Sequence, residues 1–177
     1  MKYYFPVLIL FLSFGASCEK YVDTPLERND SLNHRPYCND PRAVNYNWNF
    51  PGYSDSSVCI YPSEVFEGVY NFNDKIFAAD GETLIDSAVL SFEFLKQDFE
   101  KLELVNFCTP NQTIRLTATR FSTASIDTLE PYGQIFCRPQ DSVTGIFTVL
   151  NKDSVRLDLR VVSDSGINFH RGIAVQL

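Results

Sequence analysis

From Phe66 to the C-terminus the chain alternates apolar and polar residues with a period of two, over and over. Leu90, Phe92 and Phe94 alternate with Ser91 and Glu93. Ile114, Leu116 and Ala118 alternate with Thr113, Arg115, Thr117 and Thr119. Val155, Leu157, Leu159 and Val161 alternate with Arg156, Asp158 and Arg160. Successive side chains of an extended chain point to opposite faces, so this pattern sets one face on a core and the other in water. Further strands are expected at residues 68–73, 101–107, 134–138, 143–150 and 167–175. Asp80-Gly81, Thr109-Pro110-Asn111, Asn151-Lys152-Asp153 and Ser163-Asp164-Ser165-Gly166 supply the turns between them. Short strands in about 110 residues, with no long helical period, define an all-β domain. An antiparallel meander barrel is expected, with a β-sandwich as the alternative.

Composition narrows the function classes. The chain has 177 residues, is 45% hydrophobic and 14% aromatic, and so can fill a core where a disordered chain could not. Its formal charge of −7 lacks the basic footprint that nucleic-acid binding needs. The five cysteines, an odd number, need a separate account.

The N-terminus supplies one. Residues 1–17 read as a secretory signal: Lys2 is positive, Tyr3 to Phe14 is apolar apart from Pro6 and Ser13, and Gly15, Ala16 and Ser17 are small. The apolar run is shorter than the roughly 20 residues of a membrane-spanning helix. It ends on Cys18, and small-small-Cys after such a run resembles a bacterial lipobox, which implies a lipid-modified Cys18 as the first mature residue. Gly15 stands where the lipobox carries an aliphatic residue. Ordinary signal-peptidase cleavage, leaving Cys18 a free thiol, is the alternative. Lipidation of Cys18 leaves four cysteines, an even number suited to an oxidising compartment. The mature chain keeps 14 basic and 22 acidic groups, because residues 1–17 contain Lys2 and no acid.

Residues 18–36 are polar and read as a flexible tether. Residues 37–61 form a Cys-bounded loop segment, and residues 62–177 the β-domain. In the loop segment, Cys38, Asp40, Pro41, Ala43, Asn45, Tyr46, Cys59 and Tyr61 resemble a motif of secreted and surface proteins of the Bacteroidota, Cys-x-Asp-Pro-x-Ala-x-Asn-Tyr followed by Cys-x-Tyr. The resemblance implies an extracytoplasmic location and carries no activity. Asp40, Asn45, Asn47, Asn49 and Asp55 could supply oxygen ligands to calcium, but they lack regular Asp-x-Asp-x-Asp-Gly spacing. Turn hydrogen bonds are the competing use of these side chains. Tyr46, Trp48, Phe50, Tyr53 and Tyr61 cluster here too. Trp48, Tyr46 and Tyr53 are the candidate contacts to a glycan or envelope-protein partner, and packing of the segment on the β-domain is the alternative.

The opening Phe66-Glu67-Gly68-Val69-Tyr70 with Asp74, then Val105-Asn106-Phe107 and Gly145-Ile146-Phe147, resembles small lipocalin-like domains of Bacteroidota lipoproteins. That implies a barrel whose first-strand glycine lets an aromatic ring from another strand lie on bare backbone. Of the three connectivities open to Cys38, Cys59, Cys108 and Cys137, Cys38–Cys59 and Cys108–Cys137 each join cysteines within one structural unit. Without Cys-x-x-Cys spacing the four do not make a zinc site. No metal or cofactor is expected.

No Gly-x-Ser-x-Gly elbow, His-Glu-x-x-His or phosphate loop is present. His170 lies on the expected last strand, where a half-exposed strand histidine is the plain reading. Glu67, Glu93 and Asp158 could in principle pair as glycosidase carboxylates, but their spacing gives no support. Arg156, Asp158 and Arg160 are expected to form cross-strand ion pairs. Asp followed by Ser or Thr and a small or aliphatic residue recurs at Ser31, Ser87, Thr128, Ser142 and Ser154. It resembles the O-glycosylation sequon of Bacteroidota exported proteins, and turn formation before strands is the rival explanation.

These readings point to a cell-envelope lipoprotein, held at the outer membrane by its lipid on the periplasmic face or the cell surface. Its β-domain would be a non-catalytic binding or structural module. The alternative is a lipocalin-like carrier of a small apolar ligand, which needs a hollow interior lined by Phe92, Phe94, Leu116, Leu157 and Leu159.

Overall fold

The structure, a computed structural model, describes residues 30–48, 51–108, 112–128 and 133–177. The expected signal peptide, Cys18, Asn49, Phe50 and the turn at 109–111 lie outside the described residues. A helical turn α1 (Asp30–Asn33) falls within the described part of the stretch read as a tether, and strand β1 (Pro36–Tyr37) spans its junction with the loop segment. Strand β2 (Tyr53–Ser54) pairs with β1 in parallel. Two 3-10 turns, Ser56–Val58 and Pro62–Val65, lead into the β-domain.

That domain contains β3 (Gly68–Phe77), β4 (Leu84–Lys96), β5 (Lys101–Val105), β6 (Thr113–Thr119), β7 (Thr123–Ile126), β8 (Gln134–Phe136), β9 (Arg138–Asn151), β10 (Ser154–Ser163) and β11 (Gly166–Gln176). Each pairs antiparallel with its neighbours, and β9 pairs with β10 to close the ring. The short strands β7 and β8 follow one another along the same edge of β9, β7 against residues 146–148 and β8 against residues 138–143. They share one place in the wall, so the barrel is a closed antiparallel meander of eight strands. The sandwich alternative is set aside by that closure.

The period-two faces fall as their pattern requires. Tyr70, Phe72, Phe92, Phe94, Leu102, Leu104, Ile114, Leu116, Phe147, Val155, Leu157 and Leu159 point inward and are buried, while Arg156, Asp158 and Arg160 point outward. Burying each of the larger side chains stabilises the fold by about 1.5–3 kcal/mol. The interior is packed with rings. Phe94 lies edge-on to Phe66, Tyr70, Phe92 and Phe147 at centroid distances of 5.7, 5.6, 5.2 and 5.4 Å. Every residue that a hollow carrier would use as lining is therefore locked into a filled core.

β7 is the strand that the alternation alone did not indicate. Its inward residues are the small Ala124 and Ile126, a weak apolar signal over only Thr123–Ile126. Where β7 ends, the side chain of Gln134 continues its pairing with β6. The Arg115 N–H donates to Gln134 Oε1 at 2.9 Å, and Gln134 Nε2 donates to the carbonyls of Arg115 at 2.6 Å and Asp127 at 2.7 Å.

One end of the barrel is shut. The turn Pro62–Val65 lies against β6, Phe66 is fully buried below it, and the Ser63 N–H donates to the Phe99 carbonyl at 3.1 Å. The Glu64 carboxylate accepts from the Tyr61 N–H at 2.9 Å and from Lys96, whose hydrogen bond holds it below the ordinary glutamate range. The first-strand glycine, Gly68, has φ 142° and is covered by the Gln176 side chain rather than by an aromatic ring. The ring-on-backbone contact occurs instead at Gly172, where a Cβ would lie 2.9 Å from the Phe72 ring and 2.0 Å from the Asn73 carbonyl oxygen.

Candidate functional site

The other end is open. β4 runs on to Leu84 beyond its last pairing with β5 at Glu93↔Val105, so the wall thins on that side. The disulfide Cys108–Cys137 crosses there, joining the β5–β6 connection to the tight corner between β8 and β9. Between them lies a recess of about 350 Å³. Ile76, Ala88, Leu90, Phe107 and Phe136 give it apolar walls, and Arg138 stands exposed among its lining residues.

Two polar side chains reach this recess. Asp74 continues the inward series Tyr70, Phe72 on β3, and it is the one acidic residue among the buried residues of the described chain, with its side chain 1% exposed. His170 on β11 sits diagonally across, two residues from Gly172, the direct partner of Asp74 in the ladder. Its Nδ1 is 2.6 Å from Asp74 Oδ2. The imidazole edge meets the Phe136 ring at a centroid distance of 5.8 Å, which fixes its orientation. No described protein group donates to the second carboxylate oxygen, Asp74 Oδ1, which is buried. A buried acceptor in that condition costs about 1–3 kcal/mol.

Chemically this is a buried acceptor in the lining of an apolar recess. None of the described lining residues carries a hydroxyl or a free thiol, since Cys108 and Cys137 are bonded to each other. The His170–Asp74 pair thus orients an acceptor and has no nucleophile beside it among those residues. Glu67, Glu93 and Asp158 are not brought together here. Sequence reasoning missed the pairing of Asp74 with His170. The available signal was a charged residue at the inward phase of a strand whose other inward residues are aromatic or aliphatic.

The rim is ordered by the β3–β4 turn. Asp80 Oδ1 accepts from the backbone N–H groups of Glu82 and Thr83 at 2.9 Å each, and Thr83 Oγ1 donates to Asp80 Oδ2 at 2.6 Å. Gly81 takes φ 72°, a left-handed conformation that glycine adopts readily, and its carbonyl accepts from Arg171 Nη1 at 2.8 Å. The Thr83 hydroxyl, with the backbone donors, lowers the Asp80 carboxyl to about 2. A depressed carboxyl stabilises the folded turn above its unfolded value near 3.8, and that contribution is lost as pH falls toward 2. We expect the Asp80 carboxyl resonance to titrate near 2 in the native protein and to move upward in Thr83→Ala. An ordinary aspartate midpoint in the native protein would contradict this account of the turn.

A second, larger concavity, about 760 Å³, lies on the outer wall between Asn73, Lys75, Phe77, Arg156 and Ile173. Three of its charges are exposed and partnered: Asp158 accepts from Arg156 at 3.1 Å and faces Arg171 across the strands at 3.8 Å. The expected cross-strand ion pair is thus present, between β10 and β11. Exposed pairs of this kind contribute little to stability.

The loop segment is tied by Cys38–Cys59. Asp40, Asn45 and Asp55 make hydrogen bonds within the segment. Asp40 accepts from Arg42 and from the Tyr61 hydroxyl, Asn45 bonds the backbone of Val58 and Ile60, and Asp55 caps Ser57. Arg42 holds the Asp40 carboxyl well below the usual range. The segment contacts the barrel through Tyr61 on Phe99, with ring centroids 4.2 Å apart, and Arg42 over the same ring. Of the three candidate partner contacts, Trp48 is 76% exposed, Tyr53 is exposed and Tyr46 half-buried. Among the glycan acceptor positions, Ser31, Ser87 and Thr128 are exposed and Ser142 is half-buried. Ser154 is buried at the start of β10.

The barrel and mouth thus define a small closed lipocalin-like meander with a shallow polar-tipped recess. No family model matches the chain, and no curated protein matches it. A solved structure of a protein of unknown function of the DUF3598 family from Nostoc punctiforme is similar over 65% of this chain, with 10% identity and a TM-score of 0.43. The match covers 49% of that protein, so the chain spans about half its length.

Proposed function

We propose that this chain is a lipoprotein of the cell envelope, anchored through Cys18, whose barrel is a non-catalytic binding module with its contact site at the open mouth. The observation that carries the binding site is the buried Asp74 carboxylate, held by His170 and set in the lining of an apolar recess, in a barrel whose remaining interior is filled. That filling moves the carrier alternative from the barrel interior to the mouth. The anchor rests on the lipobox resemblance and the cysteine parity, with the two disulfides accounting for the other four cysteines. Trp48 and Tyr53 offer an exposed aromatic surface to an envelope protein or glycan.

The test has two arms on the natively expressed protein. Growth with a labelled fatty acid is expected to mark the wild-type chain and to leave Cys18→Ala unlabelled. Intact-mass analysis of the purified protein is then expected to report any small molecule released on denaturation. Its loss from a variant with the mouth filled, Ala88→Phe, would place it at the recess. An unlabelled wild-type chain overturns the anchor, and a co-purified ligand retained by Ala88→Phe overturns the site.

A further inference from the structure

We propose that the mouth recess selects a small amphiphile whose head donates hydrogen bonds, of the alkylammonium kind, with Asp74 Oδ1 receiving the head and the apolar walls receiving the tail. The inference rests on the reading of the mouth as the binding site and adds the chemistry of what it takes.

Three observations set that chemistry. First, Asp74 has one oxygen engaged by His170 Nδ1 and one, Oδ1, to which no described protein group donates, in a side chain 1% exposed. A carboxylate oxygen only accepts, so the complementary ligand atom must carry a hydrogen. An acceptor head, such as a second carboxylate, would set lone pair against lone pair at short range. Second, the surroundings are apolar. Ile76, Ala88, Leu90, Phe107 and Phe136 line the recess together with Asp74, and apolar walls strengthen a hydrogen bond made there and favour a hydrocarbon body beside it. Third, the size fits a short chain. A recess of about 350 Å³ is at the small end for ligand sites, matching a tail of about eight carbons rather than a long lipid.

Arg138 is, beside the His170 ring already engaged by Asp74, the one lining residue that favours an anion. It lies exposed, where water and salt weaken its field, whereas Asp74 is buried and felt at short range. Where the two compete, the buried group decides.

The probes are n-octylammonium and octanoate, equal in tail and opposite in head. They are titrated into the full chain carrying Cys18→Ala, which keeps detergent out of the assay, and followed by backbone amide shifts of Ile76, Ala88 and Phe136. Octylammonium is expected to bind at least tenfold more tightly than octanoate. Asp74→Asn, which turns a donating Nδ2 toward the recess when its Oδ1 keeps the His170 bond, is expected to cut that ratio by tenfold or more. Ala88→Phe is expected to abolish both titrations while leaving the thermal unfolding transition in place. If both probes bind, Ala88→Phe removes both, and the wild-type ratio is flat or favours octanoate, the head-group inference falls and the mouth site stands. If either probe binds undiminished in Ala88→Phe, or neither binds the wild-type chain at millimolar concentration, the mouth site and the inference fall together. Should Asp74→Asn not fold, the wild-type ratio and Ala88→Phe still decide both points.

Discussion

Replacing Phe94 by alanine is expected to lower the free energy of unfolding by about 3–5 kcal/mol, a loss comparable with the whole stability of a marginal domain. Phe94 is fully buried, and its ring meets four other aromatic rings that come from the closing segment and from β3, β4 and β9. Truncation removes the transfer free energy of the ring and leaves a cavity among neighbours that are themselves large and fixed, so the site cannot collapse. Phe121→Ala is the control, because that ring is 73% exposed and its loss should cost less than about 0.5 kcal/mol. Urea unfolding followed by far-ultraviolet circular dichroism makes the comparison. Trp48, the single tryptophan, is too exposed to report on the core. Equal midpoints for the two variants would mean that the barrel interior is not the packed unit described.

That prediction depends on positions whose inward phase could be read directly from the sequence. Phe92, Phe94, Leu116, Leu157 and Leu159 alternate with polar neighbours, and all five are core residues. Alternation reports which face is wet, because burial on one side and solvent on the other is a local property of each strand. Whether the core is hollow is a property of all the strands together. It turns on how large the inward residues are and how they meet across the barrel, so the same five residues served equally well for a hollow carrier and for a filled module.

The candidate site was less legible for a related reason. Asp74 and His170 are 96 residues apart and meet only because β3 and β11 are neighbours in the closed ring. Asp74 stood in a resemblance string with no chemical role, and His170 alone read as an ordinary strand residue. The loop segment shows the reverse case. Asp40, Asn45 and Asp55 have two competing uses, as cation ligands or as hydrogen-bond partners within the loop, and their side chains bond to Arg42, Val58, Ile60 and Ser57. Asn and Asp suit both uses by composition, and only the geometry separates them.

Gln134→Leu is expected to cost about 2–4 kcal/mol although it replaces a polar side chain by an apolar one of similar size in a buried position. The reason lies in the divided strand. β7 stops pairing with β6 at Leu116↔Ile126, and β8 takes up its place against β9 only from Gln134. Across that break the Gln134 amide behaves as a peptide unit set on its side, accepting from the Arg115 N–H and donating to the Arg115 and Asp127 carbonyls. Leucine fills the volume and satisfies none of these groups. The Arg115 N–H would lose its partner outright, while the Arg115 carbonyl keeps the Asp127 N–H at 2.9 Å, so the loss falls mainly on one donor. Gln134→Glu should be worse still. It retains one acceptor for Arg115, removes both donors, and sets a carboxylate beside the Arg115 and Asp127 carbonyls. Hydrogen exchange gives the local reading: the Arg115 amide should lose protection in Gln134→Leu well beyond the change at Tyr70 on β3, across the barrel. Should Arg115 remain as protected as in the native chain, the wall at β7 and β8 is held by something other than this side chain.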